Sequence, residues 1–261
     1  MFSRIRVQVS LPIDYFWVFG IIKVLNFEIR ESYIMPKIIL IPTSHIARES
    51  LEQVRETIEK EKPDCVAVEL DVNRYYYLEK QGRENAIDML RLLGLPTFLL
   101  YWILRKFQDY FGEKTGIFPG SEMVKAVEIA KEKRLHIALI DQPIQITLLK
   151  IRRIPLPEKA KLLWLLIKSI FGLVYPFGEK VRIDLEKVPP KNLIAQAMNY
   201  FRKGLPNFYR VLVSERNEVM ARNLKELGKR FEKIVCVIGA GHEEGIRRLL
   251  KRRYGLNHSI S

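Results

Sequence analysis

Residues 233–245 of the chain read KIVCVIGAGHEEG, and this stretch decides the fold that the sequence predicts. The β-branched apolar run at 234–238 is typical of a short strand that is covered on both faces of a sheet. The two glycines after it let the backbone turn sharply, and the two glutamates after His242 favour the start of a helix, because negative charge is stabilised there. The pattern therefore predicts that His242 lies at the carboxyl end of a core strand.

A second stretch near the other end of the chain has the same order of elements. Residues 37–50, KIILIPTSHIARES, predict a strand at 38–41, a turn at 42–44, and then His45 ahead of a helix. Ligands of open α/β sheets bind beyond the carboxyl ends of the strands. We therefore expect two strand–turn–histidine units that bring both imidazoles to one crevice.

The remaining periodicity indicates an α/β fold. Residues 48–60 carry apolar side chains at helical spacing and join the strand at 38–41 to a second apolar run at 65–70, so these two strands are expected to be parallel. A third strand is predicted at 135–140. The sequence between the strands favours long helices, which predicts a mainly parallel central sheet with helices on both faces and a helix-rich middle insertion.

Domain organisation follows from the length of the chain and from the position of its first strong strand. A chain of 261 residues can bury a large core, and the alternation of elements fits one domain that spans 35–261. Residues 1–34 are the least regular part, and they are either an added hairpin or a segment that precedes a true start at Met35. The sequence leaves these two alternatives open.

Cysteine usage and hydropathy indicate the setting. Cys65 and Cys236 each fall within a predicted strand, so we expect buried, reduced thiols and a cytoplasmic location. We predict neither a secretory signal nor a spanning helix. The longest apolar run, 162–177, contains a lysine and is shorter than the roughly 20 residues that a spanning helix needs.

The net charge of +14 is spread along the chain, with its densest parts at 150–153, 159–168 and 247–253. Such clusters on helices are typical of solvated faces, of contacts with anionic membranes or of contacts with nucleic acid. The sequence patterns of common nucleic-acid-binding motifs do not accompany them, so we do not expect nucleic acid as a partner. Peripheral contact with a membrane surface remains as an expectation.

Acidic residues follow the predicted strands and are candidates for catalysis. Glu69 and Asp71 are two residues apart at the end of the strand at 65–70, so regular alternation places both carboxylates on one side of it. Arg74 follows within reach. A carboxylate that ends an apolar strand needs a cation nearby. The pattern fits either a functional group or a structural ion pair between Arg74 and one of the two acids.

Further candidates lie on predicted helices and at the end of the third strand. Ser121 is expected to cap a helix, and Glu122 lies in its first turn, where a glutamate is favoured with or without a functional role. Glu215 and Arg216 point about 100° apart on a later helix, so if one faces the crevice the other lies beside it; a solvated helix is the alternative. Asp141 is either a site carboxylate or a helix N-cap.

Six short motifs occur in the chain in a fixed order: PTSHIARES (42–50), PDCVAVELDVNRY (63–75), PGSEM (119–123), IDQPIQITL (140–148), SERN (214–217) and VIGAGHEEGI (237–246). Together they resemble the TraB/PrgY family, named for a plasmid pheromone-shutdown protein, and through it the wider Tiki and GumN-like group. Each motif alone is a weak signal, but six of them in the family's order are a strong one. The resemblance extends over residues 37–253.

The resemblance implies an α/β fold with two glycine-x-x-histidine motifs and a glutamate in the pocket. Tiki members are divalent-metal-dependent peptidases, and PrgY-type members lower the activity of secreted peptide pheromones. Carried over residue by residue, the family pattern places Gly239 and His242 in the second motif, His45 in the first, and Glu69 as the glutamate.

The chain departs from the family pattern at two positions. Pro42 stands where the first motif has glycine, and Gln142 stands where an arginine usually follows Asp141. Proline fixes φ near −65° and lacks an N–H, and loss of the arginine could weaken the binding of a carboxylate or of substrate. Both departures are compatible with a member that binds a peptide without hydrolysing it.

Two hypotheses of different class follow. The first is a metal-dependent hydrolase acting on peptides, in which His45, His242 and Glu69 bind a divalent ion such as Mn, Co or Zn. Other side chains would supply the base or stabilise negative charge: Asp71 or Glu122 for the first role, Arg74 or Arg216 for the second. The second hypothesis is a non-catalytic peptide-binding or membrane-surface-associated module. A nucleic-acid-associated protein would rest on charge alone.

Overall fold

A computed structural model describes residues 36–43, 48–80, 86–115, 120–170, 190–255 and 260 of the chain. Four strands form one parallel sheet in the order β1-β4-β2-β3. The strands are β1 (Lys37–Thr43), β2 (Cys65–Val68), β3 (His136–Leu139) and β4 (Lys233–Gly239). The predicted α/β class with a parallel central sheet is confirmed.

Helices account for most of the described residues. They are α1 (Arg48–Glu61), α2 (Val72–Lys80), α3 (Ala86–Leu93), α4 (Leu95–Thr115), α5 (Ser121–Glu132), α6 (Ile144–Arg152), α7 (Leu156–Ile170), α8 (Lys191–Gly204), α9 (Pro206–Tyr209), α10 (Glu215–Leu227) and α11 (Ala240–Tyr254). A π-helical turn, Arg210–Ser214, joins α9 to α10. No helix in these described ranges is long and apolar enough to cross a membrane.

The strands send alternate side chains into two separate cores, as a sheet covered on both faces requires. Helices α1 and α5 close one core, to which β4 contributes Val235 and Val237. Helices α10 and α11 close the other, to which β4 contributes Ile234 and Cys236. Cys65 and Cys236 are fully buried free thiols, as predicted. The two cores fix the sheet, and with it the positions of the residues that follow each strand.

The helix-rich part of the chain packs beside the sheet domain through two further apolar clusters. One joins α4 and α7 to the segment at 205–212, and the other joins α3 to α4 and α6. Pro96 and Pro157 lie in the first turns of α4 and α7. Proline is tolerated there because the first amides of a helix have no partner within the helix.

Strand β1 is longer than predicted, so residues 42 and 43 of the expected turn at 42–44 are part of the strand, and residue 44 lies outside the described residues. Pro42 pairs with Ile238, and Thr43 pairs with Gly239. Of the four strands β1 pairs with β4 alone, so it lies at the edge of the described sheet, and its other side makes only an isolated bridge between Ile38 and Ile260, four residues before Pro42. An edge strand tolerates proline because one side of its backbone makes no ladder.

Strand β2 ends earlier than predicted, at Val68. The N–H of Leu70 donates to the carbonyl of Val68 at 2.8 Å, so the chain makes a tight turn centred on Glu69. Strand alternation therefore stops before Asp71. The prediction that both carboxylates project from one side of a regular strand is wrong.

Two helices begin at residues other than those predicted. Gly120 precedes α5 with φ 92°, a left-handed value that favours glycine, and Ser121 is already inside the helix instead of capping it. Helix α11 begins at Ala240, so His242 lies in its first turn and not in a glycine turn before it. Gly241 instead permits close packing, because a Cβ there would lie 3.2 Å from the sulfur of Met198.

His45 and the segment 1–34 lie outside the described residues. The predicted position of His45 beside His242 therefore stays a prediction. The same holds for the two alternatives for residues 1–34 and for the domain boundary at residue 35.

Candidate active site at the carboxyl edge of the sheet

Glu69 is the central carboxylate of the site. The turn after β2 buries it to 2% exposure and directs it towards the start of α11. Its Oε2 accepts a hydrogen bond from the Gly239 N–H at 2.7 Å, and its Oε1 contacts both the guanidinium of Arg216 and, at 3.2 Å, the Nε2 of His242. A buried carboxylate requires such partners, and the predicted need for a cation beside Glu69 is met by Arg216 instead of Arg74.

Arg216, on α10, binds two carboxylates at once. Its Nη2 lies 2.6 Å from Asp141 Oδ2, its Nε lies 3.1 Å from both Asp141 oxygens, and Nη2 also contacts Glu69. Burial alone would lower the pKa of Arg216, but the Glu69 and Asp141 carboxylates raise it above its usual value. The planar fork of a guanidinium suits this double contact. Arg216 thus holds two anionic groups together in a buried position.

The π-helical turn before α10 adds a further partner for the guanidinium. The N–H of Glu215 donates to the carbonyl of Arg210, five residues earlier. The carbonyl of Leu212, inside the same turn, accepts from Nη1 of Arg216 at 3.2 Å. Widened turns of this kind occur often at functional sites, and here the turn helps to fix the arginine.

His242 is oriented by Asn217, which sequence reasoning missed. The Nδ1 of His242 lies 2.6 Å from Asn217 Oδ1. That oxygen only accepts, so a proton on Nδ1 makes this contact a hydrogen bond, while Nε2 faces both an acceptor, Oε1 of Glu69 at 3.2 Å, and a guanidinium donor. Nε2 lies 3.3 Å from Nη1 of Arg216. Asn217 follows Arg216 in the SERN motif, and a helix that directs one residue at the site places its neighbour within reach.

Helices α10 and α11 approach each other closely where Asn217 lies. A Cβ built on Gly245 would be 2.1 Å from Nδ2 of Asn217. A glycine at this position therefore makes room for the asparagine that orients His242. Gly245 follows His242 by three residues, so the sequence alone places it beside the histidine on the next turn of the helix.

Asp141 belongs to the site and is not a helix N-cap. Besides Arg216 it contacts Nη1 of Arg74 at 3.5 Å, and its Oδ1 accepts from the N–H of Gln142 at 2.8 Å. Helix α6 is preceded by Pro143 and has no side-chain cap. The predicted ion pair of Arg74 with Glu69 or Asp71 is therefore wrong, because the Arg74 side chain pairs with Asp141.

The side chain of Gln142 turns away from these carboxylates. It is buried and donates from Nε2 to Thr147 Oγ1 at 2.7 Å. Two arginines from other elements, Arg74 and Arg216, already contact Asp141. Asp141 therefore has two cationic partners even though glutamine replaces the arginine of the family pattern at position 142.

Asp71 lies at the start of α2. Its Oδ1 accepts from the backbone N–H groups of Asn73 at 2.9 Å and Arg74 at 3.3 Å. Its Oδ2 is buried and has no hydrogen-bond partner among the described residues. Burial raises the pKa of Asp71 despite those two backbone hydrogen bonds. A carboxyl group in this condition is suited to accept or donate a proton.

The Asp71→Asn variant is expected to be more stable than the wild type at neutral pH. The raised pKa means that ionising Asp71 costs folding free energy, a cost that is absent at low pH and grows as the pH rises through the folded-state pKa. Asparagine keeps the capping oxygen and does not ionise. The advantage, measured by urea unfolding, should grow to the order of 1 kcal/mol between about pH 4 and about pH 7. A variant that is destabilised equally at every pH would contradict this account.

Glu122 approaches the same edge from the opposite face of the sheet. It is buried in the first turn of α5, and its Oε1 lies 3.3 Å from Thr43 Oγ1. Thr43 Oγ1 is also 3.1 Å from the carbonyl of Ile238, four residues before His242. Glu122 thus lies next to the ends of β1 and β4.

Glu215, another predicted candidate, lies away from these residues. It pairs with Lys150 at 2.6 Å and with Arg210 at 3.5 Å, on a partly exposed surface. The structure does bring together Glu69, Arg216 and His242, with Arg74 joined to them through Asp141.

Comparison with known proteins agrees with the motifs. Residues 35–253 match the model of the TraB/PrgY/gumN family. An uncharacterised protein of Methanocaldococcus jannaschii is 39% identical over 219 residues, which are 82% of this chain and 53% of that protein. TraB domain-containing proteins of Bos taurus and Mus musculus are 26% and 27% identical, over 81% of this chain and 62% of each relative. The chain thus spans only about half to three fifths of their length. With its motifs in order and more than four fifths of its length matched, the chain belongs to the TraB/PrgY/gumN family.

Proposed function

We propose that this chain is a metal-dependent hydrolase that cleaves an amide bond in a peptide, with a divalent ion held by His242, Glu69 and His45. The observation that carries the proposal is the placement of two suitable donor atoms side by side. Nε2 of His242 and Oε1 of Glu69 are 3.2 Å apart, and the other ring nitrogen, Nδ1, lies 2.6 Å from the Asn217 oxygen, so Nε2 is the nitrogen that would bind an ion.

This spacing fits two ligands of one ion. With metal–ligand bonds of about 2.0–2.2 Å, neighbouring ligand atoms in tetrahedral or octahedral sites are about 3–3.5 Å apart. Imidazole nitrogen and carboxylate oxygen are the ligands that Zn and Mn commonly take. The contact between Nε2 and Nη1 of Arg216 is long, at 3.3 Å, and an ion bound to Nε2 would replace it.

Within the described residues no three His, Cys, Asp or Glu side chains form a group that could hold a metal. The proposal therefore takes His45, which lies outside them, as the third ligand. His45 follows Thr43 by two residues. Thr43 pairs with Gly239, which lies three residues before His242. Two peptide units reach no more than about 7 Å. The proposal that His45 completes the ligand set is compatible with that limit.

The remaining side chains would bind and orient the reactants. When bound, the ion would supply electrophilic polarisation of the scissile carbonyl and activation of water. Asp71, whose buried Oδ2 has no hydrogen-bond partner among the described residues, would accept a proton. Arg74 is partly exposed and only loosely held by Asp141, so its guanidinium is available to stabilise developing negative charge. Arg216 would fix Glu69 in its orientation towards the ion.

Peptide is proposed as the substrate class because the Tiki and PrgY types that the motifs resemble act on peptides. A second candidate is peptide binding without hydrolysis. It is favoured by Gln142, whose side chain is used within the fold instead of joining the carboxylates as an arginine would.

Metal removal separates the two candidates. Hydrolysis of a mixture of fluorogenic peptides is expected to stop on treatment with a chelator and to return with Mn, Co or Zn. His242→Ala and His45→Ala should each lose about a hundredfold or more in rate. His136→Ala is the matched control, because this exposed histidine begins β3, at the amino ends of the strands, where its ring lies 4.9 Å from that of Phe231. Peptide binding that persists in chelator without cleavage would contradict the hydrolase and support the second candidate.

A further inference from the structure

Helix α4 exposes an apolar stripe on the side that faces away from its core. Leu95, Leu99 and Trp102 are 61%, 49% and 50% exposed, and their spacing of four and three residues places them on one side of the helix. Lys106 continues the stripe, with its ammonium 5.9 Å from the centre of the Trp102 ring. The opposite side of the helix is buried at Leu100.

Helix α7 repeats the pairing of an exposed tryptophan with a lysine. Leu156 and Trp164 are 62% and 57% exposed, and the Lys168 ammonium lies 5.1 Å from the centre of the Trp164 ring. The other side of α7 packs into the same apolar cluster that buries Leu100 of α4. Two helices that share one core thus each expose a leucine, a tryptophan, and a lysine one turn after the tryptophan.

The charge around these stripes is positive. The part of α4 that carries the stripe, residues 95–106, contains two cations and no carboxylate, and the acids of α4 come later, at 109 and 113; α7 carries one acid, Glu158, and three lysines, of which Lys159 is buried. Both oxygens of Glu158 are occupied by Asn207 and the backbone of Phe208. The lysines beside the two exposed rings, Lys106 and Lys168, thus have no acidic partner among the described residues.

We propose that a Trp–Lys face, formed by Leu95, Leu99, Trp102 and Lys106 of α4 with Trp164 and Lys168 of α7, binds the surface of an anionic lipid bilayer. Tryptophan is favoured at the level of the headgroups, and lysines next to it are attracted to anionic lipids. Protein–protein interfaces are enriched in tryptophan but depleted in lysine. The pairing of each exposed ring with a lysine therefore favours lipid as the occupant. This surface is independent of the proposed hydrolase.

Tryptophan emission reports the contact at each helix separately. The full chain has three tryptophans, so Trp17→Phe with Trp164→Phe leaves Trp102, and Trp17→Phe with Trp102→Phe leaves Trp164. Vesicles of phosphatidylcholine are compared with vesicles that also contain phosphatidylglycerol. We expect emission of both rings to shift to the blue, and brominated lipid to quench it, with the anionic vesicles only. A shift at one ring alone, or equal shifts with both kinds of vesicle, would overturn the proposal.

Flotation with the same vesicles measures the contribution of charge. Lys106→Gln with Lys168→Gln should weaken binding by about fivefold for each lysine, or roughly 25-fold together. The matched control is Lys125→Gln with Lys229→Gln, which removes the same charge from two lysines paired with Glu128 and Glu226. Equal weakening in both pairs would show a general effect of net charge and overturn the assigned face.

Two other occupants give different results. If a second copy covers the face, sedimentation of the wild type without vesicles will show a dimer that Trp102→Ala with Trp164→Ala separates. If the chain's own first 34 residues cover it, both single-tryptophan variants will emit in the blue before lipid is added and will not respond to it. Either result overturns the lipid proposal.

Discussion

Replacement of Arg216 by methionine is expected to destabilise the protein by about 3–5 kcal/mol at neutral pH, because it leaves two buried carboxylates without their shared cation. Glu69 and Asp141 are both 3% exposed as side chains and both contact this guanidinium. Chemical denaturation of both proteins at neutral pH measures the loss.

Two variants control for the loss of an arginine side chain. Arg210→Met removes an arginine that is largely exposed and pairs with Glu215, so it should cost less than about 1 kcal/mol. Adding Glu69→Gln and Asp141→Asn to Arg216→Met removes all three charges, and the triple variant should recover much of the lost stability. If Arg216→Met is no more damaging than Arg210→Met, the guanidinium does not hold the site together.

Replacement of Gly245 by alanine is the second change with a large expected effect. The new methyl would meet Nδ2 of Asn217 at 2.1 Å, so either the two helices separate or the asparagine leaves its place. Overpacking of this kind costs about 1–3 kcal/mol. Release of Asn217 also frees the His242 ring from its 2.6 Å contact. Loss of a partner that orients a metal ligand lowers metal affinity by about 10–100-fold.

The matched control is Gly204→Ala, at the end of α8, where an added Cβ meets nothing within 4 Å. This change should leave both stability and metal affinity nearly unaltered. In an Asn217→Ala background, Gly245→Ala should cost little stability because the clash is gone, while metal affinity stays low. If Gly245→Ala costs the same with and without Asn217, the close approach does not act through that side chain.

Much of the fold was readable from the sequence because strand patterns and helical spacing reflect burial directly. The apolar run before His242 is a fully buried strand, and the apolar positions of residues 48–60 are spaced as an amphipathic helix requires. The parallel arrangement followed from a helix between two strands. Glu69, Arg216 and His242 were named as site residues for their positions at strand ends or in family motifs, and they are in contact.

The pairing of the charged groups was not readable in the same way. Local spacing suggested Arg74 as the cation for Glu69, whereas the cation is Arg216, 147 residues away in the chain. The tight turn at Glu69 breaks strand alternation, and no simple residue pattern announces it. The role of Asn217 depends on how closely α10 approaches α11, which a single helix pattern does not specify.

The most direct test of the central claim is a crystal of the protein grown with Mn or Zn, with diffraction data collected on both sides of the metal absorption edge. We predict one anomalous peak within about 2.0–2.3 Å of both His242 Nε2 and Glu69 Oε1, and its absence from crystals of His242→Ala. An anomalous map with no peak at that position, or a peak that survives removal of His242, would contradict the account.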